Sequence, residues 1–128
     1  MSQIPENLKY TEDHEWILIE GNIATIGITD FAQNSLGDIV FVELPDDESE
    51  VEKGETFGVV ESIKSVSDLY SPIDGVVSEK NSHVEDTPES INEDAYKGWL
   101  IKVEMKDPSQ AESLMSATKY SEFCEANS

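Results

Sequence analysis

The run Glu61-Ser62-Ile63-Lys64-Ser65-Val66-Ser67-Asp68-Leu69-Tyr70-Ser71-Pro72-Ile73-Asp74-Gly75 constrains this chain more than any other. Before it stands Thr56-Phe57-Gly58-Val59-Val60, a short apolar segment that reads as a strand. After Lys64 come Val66, Leu69 and Tyr70, then the turn signals Ser71-Pro72 and Asp74-Gly75. A lysine between two strand-like runs is a lysine at a hairpin tip. There its ammonium is exposed and its four-carbon stem is free to swing. Such a lysine suits covalent attachment of a prosthetic group. The alternative is an ordinary surface lysine on a turn.

The chain has 128 residues, which fits one domain over 1–128 with one core. A β-rich fold whose strands each bury one face suits a hydrophobic content of 38%. Charge excludes whole classes of partner. Eight lysines, no arginine and 28 acids leave a net charge of −20. Nucleic acid and anionic lipid surfaces are repelled, and the usual bidentate phosphate clamp is missing. A large negative field keeps a carrier dispersed and steers it toward basic docking sites. No apolar run approaches a membrane span. The first six residues have neither the basic and apolar regions of a signal peptide nor the arginines of a transit peptide. A single cysteine, Cys124, implies a reducing compartment and reads as a half-buried residue of a terminal helix. A cytoplasmic monomer is expected, or one of the mitochondrial matrix if the chain is a mature eukaryotic form.

In chain order, His14 to Ile19 reads as a first strand and Ile23 to Ile28 as a second, with Gly21-Asn22 turning between them. Thr29 is a cap for a short helix, with Asp30 in its first turn and Gly37 at its end. A strand follows to Leu44-Pro45. Asp46 to Glu55 holds six acids against one lysine, and its spacing does not set a glycine and a terminal glutamate where a calcium loop has them. It reads as a solvated loop. Gly75 to Lys80 is a further strand, and Thr87-Pro88-Glu89 looks like the start of a one-turn helix. Tyr96 to Val103 holds the last strand. Asp107-Pro108 opens a helix with an apolar stripe at Ala111, Leu114, Met115, Thr118 and Phe123, broken near Ser116. No phosphate loop, dinucleotide fingerprint or Cys/His cluster is present, and nothing orients Ser62, Ser65, His83 and Asp68 into a triad.

The lysine hairpin resembles the attachment site of lipoyl proteins. The similarity is greatest to the H proteins of the glycine cleavage system, with their Glu-Ser-(Val/Ile)-Lys pattern and following Ser-Pro-x-x-Gly turn. Ser65 departs from a common alanine. Biotinyl domains typically flank their lysine with Met, whereas Ile63 and Ser65 stand here. His14-Glu15-Trp16, the segment Gly27 to Gln33, the Leu44-Pro45 ending, Gly98-Trp99 and the C-terminal helices resemble the same family. Ala95 stands where the family commonly has proline. The resemblance runs from Tyr10 to Phe123.

That resemblance implies a mainly β fold, a flattened lipoyl/biotinyl-type β-barrel sandwich with short helices. Its core would span about 8–105 and its C-terminal helical extension about 107–125. It implies lipoate in amide linkage to Lys64, with Glu61, Ser62 and Ile63 as the motif that the lipoate-attaching enzyme recognises. It implies a non-catalytic carrier that takes the aminomethyl group of glycine from a pyridoxal-phosphate-dependent decarboxylase to a tetrahydrofolate-dependent aminomethyltransferase. A dihydrolipoamide dehydrogenase reoxidises the arm. His14, Glu15 and Asp68 match positions where the family shelters the loaded arm. Two rivals stand beside this reading: an H-like donor that passes lipoate to other lipoyl enzymes, and a binding module whose Lys64 stays free.

Overall fold

The computed structural model describes residues 4–126. Nine strands form two antiparallel sheets. They are β1 (Lys9–Tyr10), β2 (Glu15–Glu20), β3 (Ile23–Ile28), β4 (Ile39–Glu43), β5 (Glu50–Val51), β6 (Thr56–Ser62), β7 (Val66–Tyr70), β8 (Gly75–Lys80) and β9 (Ile101–Met105). One sheet runs β1-β2-β3-β9-β8-β5 and the other β4-β6-β7. The inner faces share one core, with Ile17, Ile26, Val60, Ile73, Val77, Ile101 and Val103 nearly or fully buried. This is the flattened β-barrel sandwich expected from the sequence.

Alternation along β2 explains why there is a second, smaller core. Side chains on a strand point to opposite faces in turn. Ile17 enters the main core, while Trp16 faces outward and joins Leu8, Tyr10, Tyr120 and Cys124. Helix α4 (Ala117–Ala126) lies over this outer face. Gly27 sits opposite Trp16 in the β2–β3 ladder, and a Cβ there would come within 2.5 Å of the indole ring. The absence of a side chain at 27 is what lets the indole lie flat, with its Nε1–H donating to the Ala95 carbonyl at 3.1 Å.

The short helices follow their caps. Thr29 Oγ1 accepts from the Ala32 amide and starts α1 (Asp30–Leu36), which stops at Gly37. Asn81 caps α2 (Ser82–Asp86) through its side chain. Helix α3 is Ser90–Glu93. Thr87 therefore ends α2 instead of capping the next helix, with its amide donating to the His83 carbonyl. The expected C-terminal helix divides near Ser116, and its first half is a 3₁₀ helix, Pro108–Ser113, capped by Asp107. Thr118 is exposed and Tyr120, two residues on, is the buried side chain.

The acidic run from Asp46 is not all loop. Glu50–Val51 pairs with β8 and buries Val51, because a single apolar residue suffices to seat a two-residue strand on an open edge. The last strand starts at Ile101, so Trp99 precedes it. No helix of the described residues is long and apolar enough to cross a membrane.

Both edges of the three-stranded sheet are capped by side chains. An unpaired strand edge leaves amides that recruit other chains. On β4, the Ile39 amide donates to Asn92 Oδ1 at 2.9 Å. Just past its end, the Leu44 amide donates to Glu85 Oε2 at 3.2 Å. On β7, the Tyr70 amide donates to Glu15 Oε2 at 3.0 Å.

Candidate functional site

Lys64 stands at the β6–β7 turn, exposed, and belongs to no ion pair among the described residues. Its place is fixed by the backbone on either side. Glu61 and Val66 form the last ladder pair. The Ser62 amide then donates to the Ser65 carbonyl at 2.8 Å. Ser62 Oγ accepts from the Lys64 and Ser65 amides, both at 3.1 Å. A serine hydroxyl closing a turn in this way offers the backbone amides a partner that they would otherwise find only in water. Ser62 thus has a structural task of its own in closing the turn.

The tip is also tied to the rest of the fold. The Ile63 amide donates to the Asp38 carbonyl at 3.1 Å. The Lys64 stem lies over Gly37: a Cβ there would be 3.0 Å from Cε and 3.6 Å from Nζ. Gly37 has φ +80°, a backbone conformation that favours glycine. Asn92 locks this saddle. Its Nδ2 donates to the Gly37 carbonyl and to Gln33 Oε1, both at 2.9 Å. Sequence reasoning missed Asn92; an isolated asparagine in a polar stretch carries no signal of a contact 55 residues away.

His14, Asp13 and Asp68 line one cleft of about 160 Å³ beside the hairpin, with Ser35, Leu36 and Ser67. His14 has φ +64° and belongs to the β1–β2 turn, not to the strand. Its ring stacks on Phe31 at 4.5 Å. Nδ1 meets the Tyr120 hydroxyl at 2.7 Å, and that hydroxyl also meets Thr29 Oγ1 at 2.7 Å. Burial lowers the His14 pKa against an opposing pull from Asp13. Burial thus favours the neutral imidazole, and a chain of two hydroxyls stands on its Nδ1.

Glu15 does not share that cleft. It is 2% exposed, and its two oxygens are engaged by Thr11 Oγ1 at 3.1 Å and the Tyr70 amide at 3.0 Å. Burial pushes its carboxyl up to about 8, although both hydrogen bonds pull the other way. At neutral pH it is mostly a neutral acid. It joins β2 to β7 and so closes the seam between the sheets directly beneath the strand that leaves Lys64. Sequence had grouped Glu15 with His14 and Asp68; the fold separates them because Glu15 starts β2 on the same inward side as Ile17, while His14 lies in the preceding turn with φ +64°.

No cluster of His, Cys, Asp or Glu among the described residues is arranged to hold a metal ion. The features present fit a carboxylate-derived prosthetic group instead: an exposed, unpaired primary amine, on a pinned turn, with a cleft beside it.

Comparison with known proteins agrees with this geometry. The sequence model of a family described as glycine cleavage H-protein matches residues 8–127. Two curated relatives named glycine cleavage system H protein come from Staphylococcus saprophyticus and Staphylococcus epidermidis. They are 57% and 56% identical over 121 residues, and each match covers 94% of this chain and 96% of the relative. The crystal structure of a glycine cleavage system H protein from Mycobacterium marinum aligns with a TM-score of 0.85 at 40% identity, covering 97% of this chain and 98% of that one.

Proposed function

This chain belongs to the glycine cleavage H-protein family, and from that premise we propose that it is a lipoyl carrier with lipoate in amide linkage to Lys64. It shuttles the aminomethyl group of glycine from a pyridoxal-phosphate-dependent decarboxylase to a tetrahydrofolate-dependent aminomethyltransferase, and a dihydrolipoamide dehydrogenase resets it. The proposed place of work is the cytoplasm. The observation that carries the reading is the exposed amine of Lys64 on a turn held by Ser62 Oγ.

When bound there, lipoate supplies a disulfide that accepts the one-carbon unit on sulfur as it is reduced. The chain's own residues supply tether, orientation and shelter. The Ser62 turn and the Gly37 saddle fix where the arm starts. A tethered reactant reaches each active site at a high effective concentration. His14 and Asp68 wall the cleft that we read as the arm's resting place, and Glu15 supports that wall from beneath. Asp68→Ala should leave attachment unchanged and speed loss of cargo to water, followed as ammonia or formaldehyde released without the transferase; an unchanged release rate removes Asp68 from this role. The net charge of −20 steers docking, so association with the decarboxylase should slow as salt rises.

The deciding experiment is intact mass after incubation with lipoate, ATP and a purified lipoate ligase. Trypsin cuts this arginine-free chain only after lysine. A modified Lys64 resists cleavage and yields one peptide, Gly54 to Lys80, with the added mass. Efficient modification of Lys64→Ala overturns the assignment.

A further inference from the structure

Opposed residues of an antiparallel ladder face the same side of the sheet. On the outer face of β4-β6-β7, this places Phe41, Glu61 and Val66 in one row and Glu43, Val59 and Asp68 in the next. Between Ile39 and Phe41 the β4–β6 register shifts, a β-bulge in which two residues of β4 oppose one of β6. Ordinary alternation would turn Val40 inward. The bulge instead leaves consecutive residues Val40 and Phe41 both in water, 55% and 43% exposed. Ile63 and Val66, on either side of Lys64, are 69% and 66% exposed.

Four large apolar side chains thus stand exposed on the Lys64 turn and on the β4 and β7 strands beside it. Exposed large apolar groups clustered at one point of a surface mark a contact site. The charges decide among occupants. Asp38, Glu43, Glu61 and Asp68 are interspersed with the apolar groups. A second copy of a chain carrying −20 is repelled, and so is an anionic membrane. The complement is a protein with an apolar seat set among lysines and arginines.

Distance selects which protein. A partner that acts on the far end of an arm built on Lys64 can dock well away from the tip. An enzyme that acts on the bare amine must reach Nζ where it lies, against Gly37, and therefore must cover the turn and its flanks. We propose that Val40, Phe41, Ile63 and Val66 form the docking surface for the enzyme that attaches lipoate; this rests on the lipoyl-carrier reading. In the attachment, Lys64 loses its extra proton to solvent and Nζ attacks the carbonyl carbon of a lipoyl adenylate. The carbon–oxygen bond to AMP breaks, the amide bond forms, and the second amine proton leaves with the AMP.

The test compares Phe41→Ser, Val66→Ser and their double variant with the wild type, using lipoate, ATP and a purified bacterial lipoate ligase at subsaturating carrier. Each single change should lower kcat/KM for attachment by about five-fold, and the double by more than about twenty-fold, as expected for truncated interface anchors. Acetylation of Lys64 by a small N-hydroxysuccinimide ester, and the urea midpoint, should not move, which separates docking from folding and from amine reactivity. Wild-type attachment rates in the folded variants overturn the proposal. Unchanged attachment together with loss of a sedimenting dimer would assign the patch to a second copy, and also overturns it. A wild-type chain that the ligase leaves unmodified sinks the carrier reading itself, an outcome distinct from equal rates in wild type and variants.

Discussion

The turn at Ser62–Ser65 and the seam at Glu15, both bordering β7, are built in opposite ways. The turn is closed by bonds spanning two or three residues, from Ser62 Oγ to the Lys64 and Ser65 amides. The seam is closed by groups 55 residues apart, Glu15 and the Tyr70 amide. Beside it, His14 and Tyr120 meet across 106 residues. The turn is exposed and presents an unpaired amine; the seam hides a carboxyl and a phenol. A mostly local device, tied to the fold by the Ile63–Asp38 bond, positions the exposed amine. A long-range device holds the sheets together beneath it, and its polar groups keep their places only while the whole fold is intact.

That contrast sets what each mutation should do. Lys64→Ala should abolish attachment while leaving the urea midpoint within error, because nothing in the fold rests on the ammonium; a marked loss of stability would show that the tip is not independent. Tyr120→Ala should have the largest effect on stability. The ring stacks on Tyr10 at 4.6 Å with an interplanar angle of 6° and is fully buried, so removing it costs roughly 3–5 kcal/mol. Urea denaturation measures this, and a cost below about 1 kcal/mol would mean that the second core carries little of the fold. Tyr120→Phe keeps the ring and removes only the hydroxyl shared by His14 and Thr29, so about 1–3 kcal/mol is expected from two groups left short of a partner.

Glu15 gives the seam a pH signature that the turn lacks. Its folded pKa, about 8, lies above its unfolded value near 4.5. Between those values the folded chain holds a proton that the unfolded chain has released. Stability from this group is therefore fully present below about pH 4.5, falls as pH rises toward 8, and is level beyond. Glu15→Gln keeps an acceptor for the Tyr70 amide and cannot titrate. The stability difference, variant minus wild type, should grow from pH 5 to pH 8; a constant difference would mean that Glu15 titrates normally. Ser62→Ala should have the smallest effect on stability, about 1 kcal/mol or less, because its bonds are exposed. Its attachment rate should still fall several-fold as the turn loosens. A stability loss matching that of Tyr120→Phe would erase the distinction between the two regions.

Much of the site was written locally. Thr29 before Asp30 signals a cap, Gly37 a stop, and Gly21-Asn22 a hairpin, and the structure has each at its expected place. The break near Ser116 was visible as a lapse in apolar spacing. The misses share a cause. Strand β1 has two residues, too few to show a period, and exists because it pairs with β2 and bridges to Met115. Asn92 and Glu85 look like solvated polar residues until the edge of β4 is laid against them.

By itself, then, the sequence determined the hairpin and its lysine, the longer strands, the caps at Thr29 and Asp107, and a net charge of −20. Those follow from backbone preferences and charge, which act within a few residues or need no geometry at all. The tertiary structure alone decided that Glu15 is buried and neutral while His14 beside it lines a cleft. It alone decided that a bulge leaves Val40 and Phe41 both outward and that the Tyr120 hydroxyl meets His14, a residue of the cleft beside the hairpin. Burial and hydrogen-bond partnership are properties of what packs against a residue, and here the packing partners come from chain segments tens of residues away.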